Sequence, residues 1–417
     1  MKTKNLLLFV LAIMFVGFAS FAQDKKDKKD KAVFKEYDKG ESFYYNSILK
    51  DVNAQENNNK KTKPYKYLSV DNNNKTYPVN IDDYTTVWHN KPISQGNAGT
   101  CWCYSATSFM ESEIKRQTGK EVKLSEMFTV YWEYVDRAVD FVKTRGKTYY
   151  NEGSEANAIP KIYKKYGIVP LDVYSGKEVG RKHHSHRKMI KELKTFLENI
   201  KENGTWDENH VETTVKAILE NYMGKPPVKF TIDGKEYTPK TYLNDYLKLS
   251  MNEYFSFMSL KKETYYEMHE LVEDDNWWHA SNYYNLPLDV YLDLIKETIK
   301  KGYTISICGD ISEPGRNSQT EVSIIPSFDI PSEYINEDSR QYRLSNKTTT
   351  DDHCIHVVGY KIVDGKWWFL MKDSGSSGFD GEHQGYCFYH EDYIKLKMMN
   401  ILIHKDTAKK ILDEIIK

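Results

Sequence analysis

The chain has 417 residues, with 59 basic and 60 acidic side chains and a formal net charge of −1. That balance gives no global field to steer it onto nucleic acid or an anionic membrane. Hydrophobic residues at 40% and aromatics at 14% supply material for a packed core, which excludes a globally disordered chain.

Residues 1–22 read as a secretory signal. Lys2 and Lys4 precede the apolar run Leu6 to Phe18, and Ser20-Phe21-Ala22 places small residues where a signal peptidase reads. Cleavage is expected before Gln23, with export to the periplasm or the outside. The run is short for a bilayer span of ~20 apolar residues, and no stable membrane span is expected later. Residues 23–64 read as a charged, Asn-rich tether, and 65–417 as the folded domain.

Trp102, Ala106, Phe109, Met110 and Ile114 recur at helical spacing, which predicts a helix from Cys101 to Thr118 with Thr100 as its cap. A second helix is expected from Ser125 to Val142, capped by Ser125, and a third from Glu155 to Tyr166, ended by Gly167. Residues 181–280 are charged, rich in Lys, Glu and Tyr, and helical in period, so they read as a helical insertion or lid. A helix begins at Pro287 and runs through Lys301. Strands follow at Thr304–Gly309, His353–Val363, Lys366–Lys372 and Tyr386–His390, with Asp364-Gly365 as a hairpin turn, then a last helix over Thr407–Ile416. Helices first and an antiparallel sheet last make an α+β layout.

Five cysteines, an odd number, leave at least one thiol unpaired if the chain is exported. In Ser94-Gln95-Gly96-Asn97-Ala98-Gly99-Thr100-Cys101-Trp102-Cys103, Cys101 stands at the first turn of a predicted helix. The positive end of the helix favours its thiolate there, and the thiolate is the nucleophile. Gln95, six residues upstream, could join the Cys101 N–H in holding an oxyanion. A general base must come from elsewhere. His353 opens a strand, with His356 as its competitor, and three residues along a strand put the two on opposite faces. Asp373 ends the neighbouring strand, where a carboxylate can orient an imidazole.

Gln95-Gly96, Gly99-Thr100-Cys101-Trp102 and Ser105 together resemble the active-site string of papain-like cysteine peptidases. Asp352-His353 with Val358-Gly359-Tyr360 resembles their histidine string, and Lys372-Asp373-Ser374 stands where they carry Lys-Asn-Ser. Three further strings resemble the bleomycin hydrolase and aminopeptidase C branch: Glu236 to Lys240, Tyr283 to Asp289 and Ile307 to Gly315. The resemblance implies a two-lobed fold, a helical lobe carrying Cys101 and a sheet or barrel lobe carrying His353, with peptide bound between them. It also implies a cysteine peptidase, of aminopeptidase type by its branch. Asp373 replaces the usual Asn. Gly375 replaces the Trp that shields the imidazole hydrogen bond, which predicts weaker screening from water. The branch enforces aminopeptidase action with a C-terminal arm, and the stretch after His404 is short for one. An endopeptidase with an open cleft, or a non-catalytic binding protein on the same fold, are therefore the rival readings.

Arg181 to Lys188 is basic and His-rich and reads as a solvated loop, not a metal or nucleic-acid site, for it lacks interleaved aromatics and Cys spacing. Cys101-x-Cys103 with the two histidines is a poor zinc set, since adjacent-but-one thiols leave a helix on different faces. No cofactor and no metal are expected. The expected partner is a peptide substrate, and a homo-oligomer is left open.

Overall fold

The helix that begins at Cys101, α1 (Cys101–Thr118), is enclosed on every side: each residue from Trp102 to Ile114 is buried. Polar groups in such a helix need partners, and its glutamates have them. Glu111 accepts from Lys123 Nζ (2.7 Å), the Leu124 N–H (2.9 Å) and Asn90 (2.9 Å), and Glu113 holds Arg116 (2.7 Å). The structure, a computed structural model, describes residues 29–52, 64–73, 75–178 and 180–415. The signal segment 1–22 lies outside them.

On one side of α1 lie α2 (Glu126–Lys143), α3 (Ala158–Tyr166), α4 (Arg187–Asn203) and α5 (Glu208–Met223), sharing a core that includes Phe109, Tyr131, Tyr134, Leu193 and Val215. Ser125 caps α2 by accepting from the Phe128 N–H (3.1 Å). Thr100 does not act as expected. Its hydroxyl makes no capping bond and has no partner, while its carbonyl accepts from the N–H groups of Cys103 and Tyr104.

On the other side of α1 lies a sheet. Two antiparallel strand pairs stand apart from it, β1 (Ala32–Tyr37) with β2 (Tyr65–Val70), and β4 (Phe230–Ile232) with β5 (Lys235–Tyr237). The sheet contains β3 (Thr85–Thr86), β6 (Tyr254–Met258), β7 (Met268–His269), β8 (Tyr283–Asn285), β9 (Ile305–Gly309), β10 (Arg316–Asn317), β11 (Val322–Ser323), β12 (His353–Val363), β13 (Lys366–Lys372), β14 (Tyr386–His390) and β15 (Met398–His404). Its order is β10-β11-β14-β13-β12-β9-β15-β6-β8-β7, with β3 beside β12. Most neighbours run antiparallel; β11–β14 and β6–β8 are parallel. Its far face is covered by α6 (Leu288–Lys300), α7 (Glu391–Lys397) and α8 (Lys409–Ile415), which close a second core around Tyr291, Ile295, Ile307, Phe369 and Leu412. No helix among the described residues is long and apolar enough to cross a membrane.

Three segments differ from the sequence reading. Residues 254–258, read inside a helical insertion, form β6 in the main sheet; five largely apolar residues satisfy either period, and only their partners β8 and β15 decide. The supposed tether holds β1 and a helical turn. Residues 42–51 also reach both lobes. Phe43 stacks on Phe379 (5.1 Å) and its N–H meets Asp380 (2.8 Å), while Tyr44 donates to Asn97 (3.2 Å) and Asp51 accepts from the Lys182 and His183 N–H groups. The His-rich stretch is not a solvated loop either. His184 and His186 are buried, and the backbone around them pairs with Asn97, whose N–H and C=O bond His184 O (2.8 Å) and His186 N (3.0 Å). A loop running past Gly96 needs such partners for its own peptide groups.

Candidate active site

Two termini meet where the helical lobe faces the sheet. Cys101 occupies the first turn of α1, half-buried, and His353 is the first residue of β12, where the register opposes it to Gly309. His353 Nε2 lies 2.7 Å from Asp373 Oδ1, with the Cys101 side chain as its other polar neighbour. Burial alone would lower the imidazole pKa. The charges of Asp373 and Cys101 and hydrogen bonds to both overcome this and push it up to about 10. His353 therefore favours the imidazolium form across the neutral range.

Asp373 is fully buried, and a buried carboxylate needs more than one partner. It has three. Besides His353, the Gly375 N–H donates to Oδ1 (2.8 Å) and Arg316 Nη2 to Oδ2 (2.9 Å). Burial would raise its pKa; the charge and hydrogen bond of His353, then Arg316 and the Gly375 N–H, hold it down to about 2. Arg316 comes from β10 and is itself fixed by Ser377 (2.8 Å) and Tyr389 (3.3 Å). The sequence reading did not single it out. The signal was the carboxylate itself: Asp where the resemblance expects neutral Asn calls for a nearby cation. The weak screening expected at Gly375 is also corrected. His353 is 7% exposed and Asp373 1%, and a Cβ at Gly375 would come within 3.1 Å of His353 Cε1, so the glycine backbone itself lies against the ring.

Gln95 is brought to the same place. Its N–H bonds the Ser374 carbonyl (2.9 Å), its side-chain oxygen accepts from Ser374 Oγ (2.7 Å), and its amide donates one hydrogen to the Ala98 carbonyl (2.7 Å). Ser374, read from the sequence only as part of the Lys372-Asp373-Ser374 string, thus holds Gln95 in place. The carboxylate of Glu152 accepts from the Gly99 N–H and its carbonyl from Trp102 Nε1 (3.2 Å), so Glu152 lies against the turn that carries Cys101.

The competing residues lie elsewhere. Cys103 is wholly buried, its thiol 3.2 Å from the Glu126 carbonyl, and burial pushes its pKa well up. His356 faces the middle of α1, 2.8 Å from Ser108 Oγ, which also accepts from Lys372 Nζ (2.7 Å). Burial, then Lys372 and His89, drive the His356 pKa far down. Cys308 and Cys354 form a disulfide across β9 and β12, one residue from His353. In a native alkylation experiment with iodoacetamide, label is expected on Cys101 before Cys103 or Cys387, which are both buried; peptide mapping that finds Cys103 modified first would contradict this assignment.

Comparison with known proteins agrees in outline. The profile of the Peptidase C1-like family matches residues 142–417. An aminopeptidase C of Lactobacillus delbrueckii subsp. lactis is 22% identical over 389 residues, covering 81% of this chain and 84% of the relative. A bleomycin hydrolase of Mus musculus is 18% identical over 366 residues, covering 76% of this chain and 80% of its own. Among solved structures, PepW from Lactobacillus rhamnosis matches with a TM-score of 0.60 at 18% identity, over 79% of this chain and 83% of that one, a likeness of fold.

Proposed function

The chain belongs to the Peptidase C1-like family, and from that premise we propose that it is a cysteine aminopeptidase in which Cys101 is the nucleophile, His353 the acid and base, and Asp373 the residue that orients His353. The observation that carries the reading is the meeting of the α1 N-terminus with the buried His353–Asp373 pair. The Cys101 sulfur attacks the scissile carbonyl carbon and a C–S bond forms. The carbonyl oxygen takes up negative charge. Donors for it are the second hydrogen of the Gln95 amide and the Cys101 N–H, one of the first N–H groups of a helix, which have no partner inside it. His353 gives its proton to the leaving amine as the C–N bond breaks. It then takes a proton from water, whose oxygen attacks the thioester and releases acid and thiolate. The geometry holds the imidazolium ready for the first transfer, since the Asp373 charge favours its protonated form.

The names of the relatives support the aminopeptidase reading. The Cys308–Cys354 disulfide supports export, for such bridges persist in oxidising compartments. The test is hydrolysis of aminoacyl-coumarin amides by the protein lacking residues 1–22, with and without iodoacetamide. Free-amine amides are expected to be cleaved and the alkylated protein to be inert. Cleavage of N-acetylated peptides at equal rates would instead favour an endopeptidase, and no cleavage of any peptide a binding protein.

A further inference from the structure

Gly153 follows Glu152 along the stretch that borders the Cys101 turn, and the space above it is taken. The Asp275 carboxylate lies where a Cβ of residue 153 would be. Arg137 holds the two segments together, donating to the Asn151 (3.1 Å) and Gly153 carbonyls from one nitrogen and to the Asp274 carbonyl (3.5 Å) from another. Trp277 Nε1 and Ser154 Oγ both donate to Glu133 Oε1, each at 2.7 Å, which pins the segment again. Residues 274–277 thus form a fixed wall on the groove.

Behind Asp275 lie two more carboxylates. Glu155 is 1% exposed, and Asp351 stands two residues before His353. Asn400 Nδ2 donates to both, at 3.2 Å to Glu155 and 2.9 Å to Asp351. One neutral amide between two acids offers no counter-charge, so both favour the protonated form unless a cation sits beside them. Burial and Asp275 accordingly push Glu155 up to about 8. Arg137 neutralises part of the charge at Asp275, and Lys147, Lys262 and Lys347 line the adjoining cavity of about 810 Å³, but these lysines are exposed. Two buried polar atoms beside the carboxylates have no hydrogen-bond partner: Tyr283 Oη, which feels the charges of Glu155 and Asp351, and Asn157 Oδ1 next to it. A buried hydroxyl and a buried amide oxygen without partners, together with a buried Glu155 flanked by two half-buried acids and no cation, suit a ligand that is cationic and rich in N–H groups. A primary ammonium, with three donors and one charge, has that chemistry.

We propose that Asp275, backed by Glu155 and Asp351, anchors a primary ammonium group of the substrate, the free N-terminus of the peptide, beside the Cys101–His353 pair. Gly153 follows Glu152, which bonds the Cys101 turn, and the Glu155 carboxylate lies within 4.8 Å of the sulfur of Cys354, the residue after His353. Residues 274–277 then both close the groove and supply the counter-charge that makes a free amine preferable to a blocked one. The proposal rests on the peptidase reading, so its test does not depend on turnover. The full-length Cys101→Ala protein is titrated calorimetrically with a free-amine dipeptide, its N-acetyl form, and an N-acetyl dipeptide carrying lysine. Loss of one charge-assisted contact of this kind corresponds to about tenfold or more in affinity. The free-amine form is therefore expected to bind at least that much more tightly than the acetyl form, and Asp275→Asn, or Glu155→Gln if the first variant misfolds, to erase the difference. Tight binding of the acetyl-lysyl peptide alone would overturn the N-terminal assignment in favour of a lysine side chain. Equal binding of all three would overturn the subsite. Failure of the uncoupled wild-type protein to hydrolyse anything, with the amine preference intact, would remove the peptidase reading and leave the anchor standing.

Discussion

His353→Ala is expected to lower peptide hydrolysis by roughly 10⁴–10⁶-fold, the loss typical when the base of a nucleophile–base pair is removed. His356→Ala is expected to keep most of the activity of the folded protein. The contrast follows from β12. His353 meets Asp373 and Cys101 at the start of the strand, while His356 lies against Ser108 in the middle of α1. The His356 change has a cost of another kind. It removes the buried bond between Ser108 and the His356 ring, leaving Ser108 only its bond from Lys372, on the order of 1–3 kcal/mol of stability. Activity per folded molecule together with thermal midpoint separates the two effects. A well-folded His356 variant as inactive as the His353 variant would overturn the assignment.

The second large effect lies in the Arg316–Asp373 pair. Asp373→Asn preserves an acceptor for the imidazole N–H, so the folded variant should remain active, more so than Asp373→Ala. It also leaves the Arg316 guanidinium buried without its counter-charge, a change that typically costs about 3–5 kcal/mol. Adding Arg316→Met is expected to restore much of that stability, and urea midpoints of the two single variants and the double variant measure the coupling. If Asp373→Asn alone unfolds at the wild-type midpoint, the pair is not coupled. The pH dependence has a definite sign. His353 has its pKa raised in the folded state to about 10, so its contribution to stability is full below an unfolded value of ~6.5 and is lost between there and about pH 10. Asp373 has its pKa lowered to about 2, so its contribution is present above ~3.9 and is lost as pH falls towards 2. The alkaline limb of kcat/KM should likewise lie near pH 10 and move to lower pH in Asp373→Asn, which removes the largest favourable charge on the imidazolium.

Much of this site could be read from the sequence because its parts are local. A glycine loop running into an amphipathic pattern marks the start of α1 and therefore Cys101. A β-branched run bounded by Asp352 and the Asp364-Gly365 turn marks β12 and therefore His353. Arg316 was not legible in the same way. It stands 57 residues from Asp373, on a two-residue strand that no periodicity signals, and only the sheet order brings them together. His184 and His186 misled for the opposite reason. A string of basic residues reads as solvated, yet its backbone is what the Gly96–Ala98 loop pairs with, and backbone demand leaves no trace in side-chain type. The same holds for β6, whose five residues fit either period until β15 and β8 flank them.

The segment 42–51 has a consequence for how this molecule meets its substrate. Through Phe43 it grips the sheet lobe at Phe379 and Asp380, and through Tyr44 and Asp51 the helical lobe at Asn97 and His183. The two banks of the groove are therefore clasped from outside as well as joined through α1. Such a clasp fixes the width of the groove before any ligand arrives. Little of the intrinsic affinity is then spent on drawing the banks together, and selection falls on the shape and charge a ligand already has rather than on its capacity to induce closure.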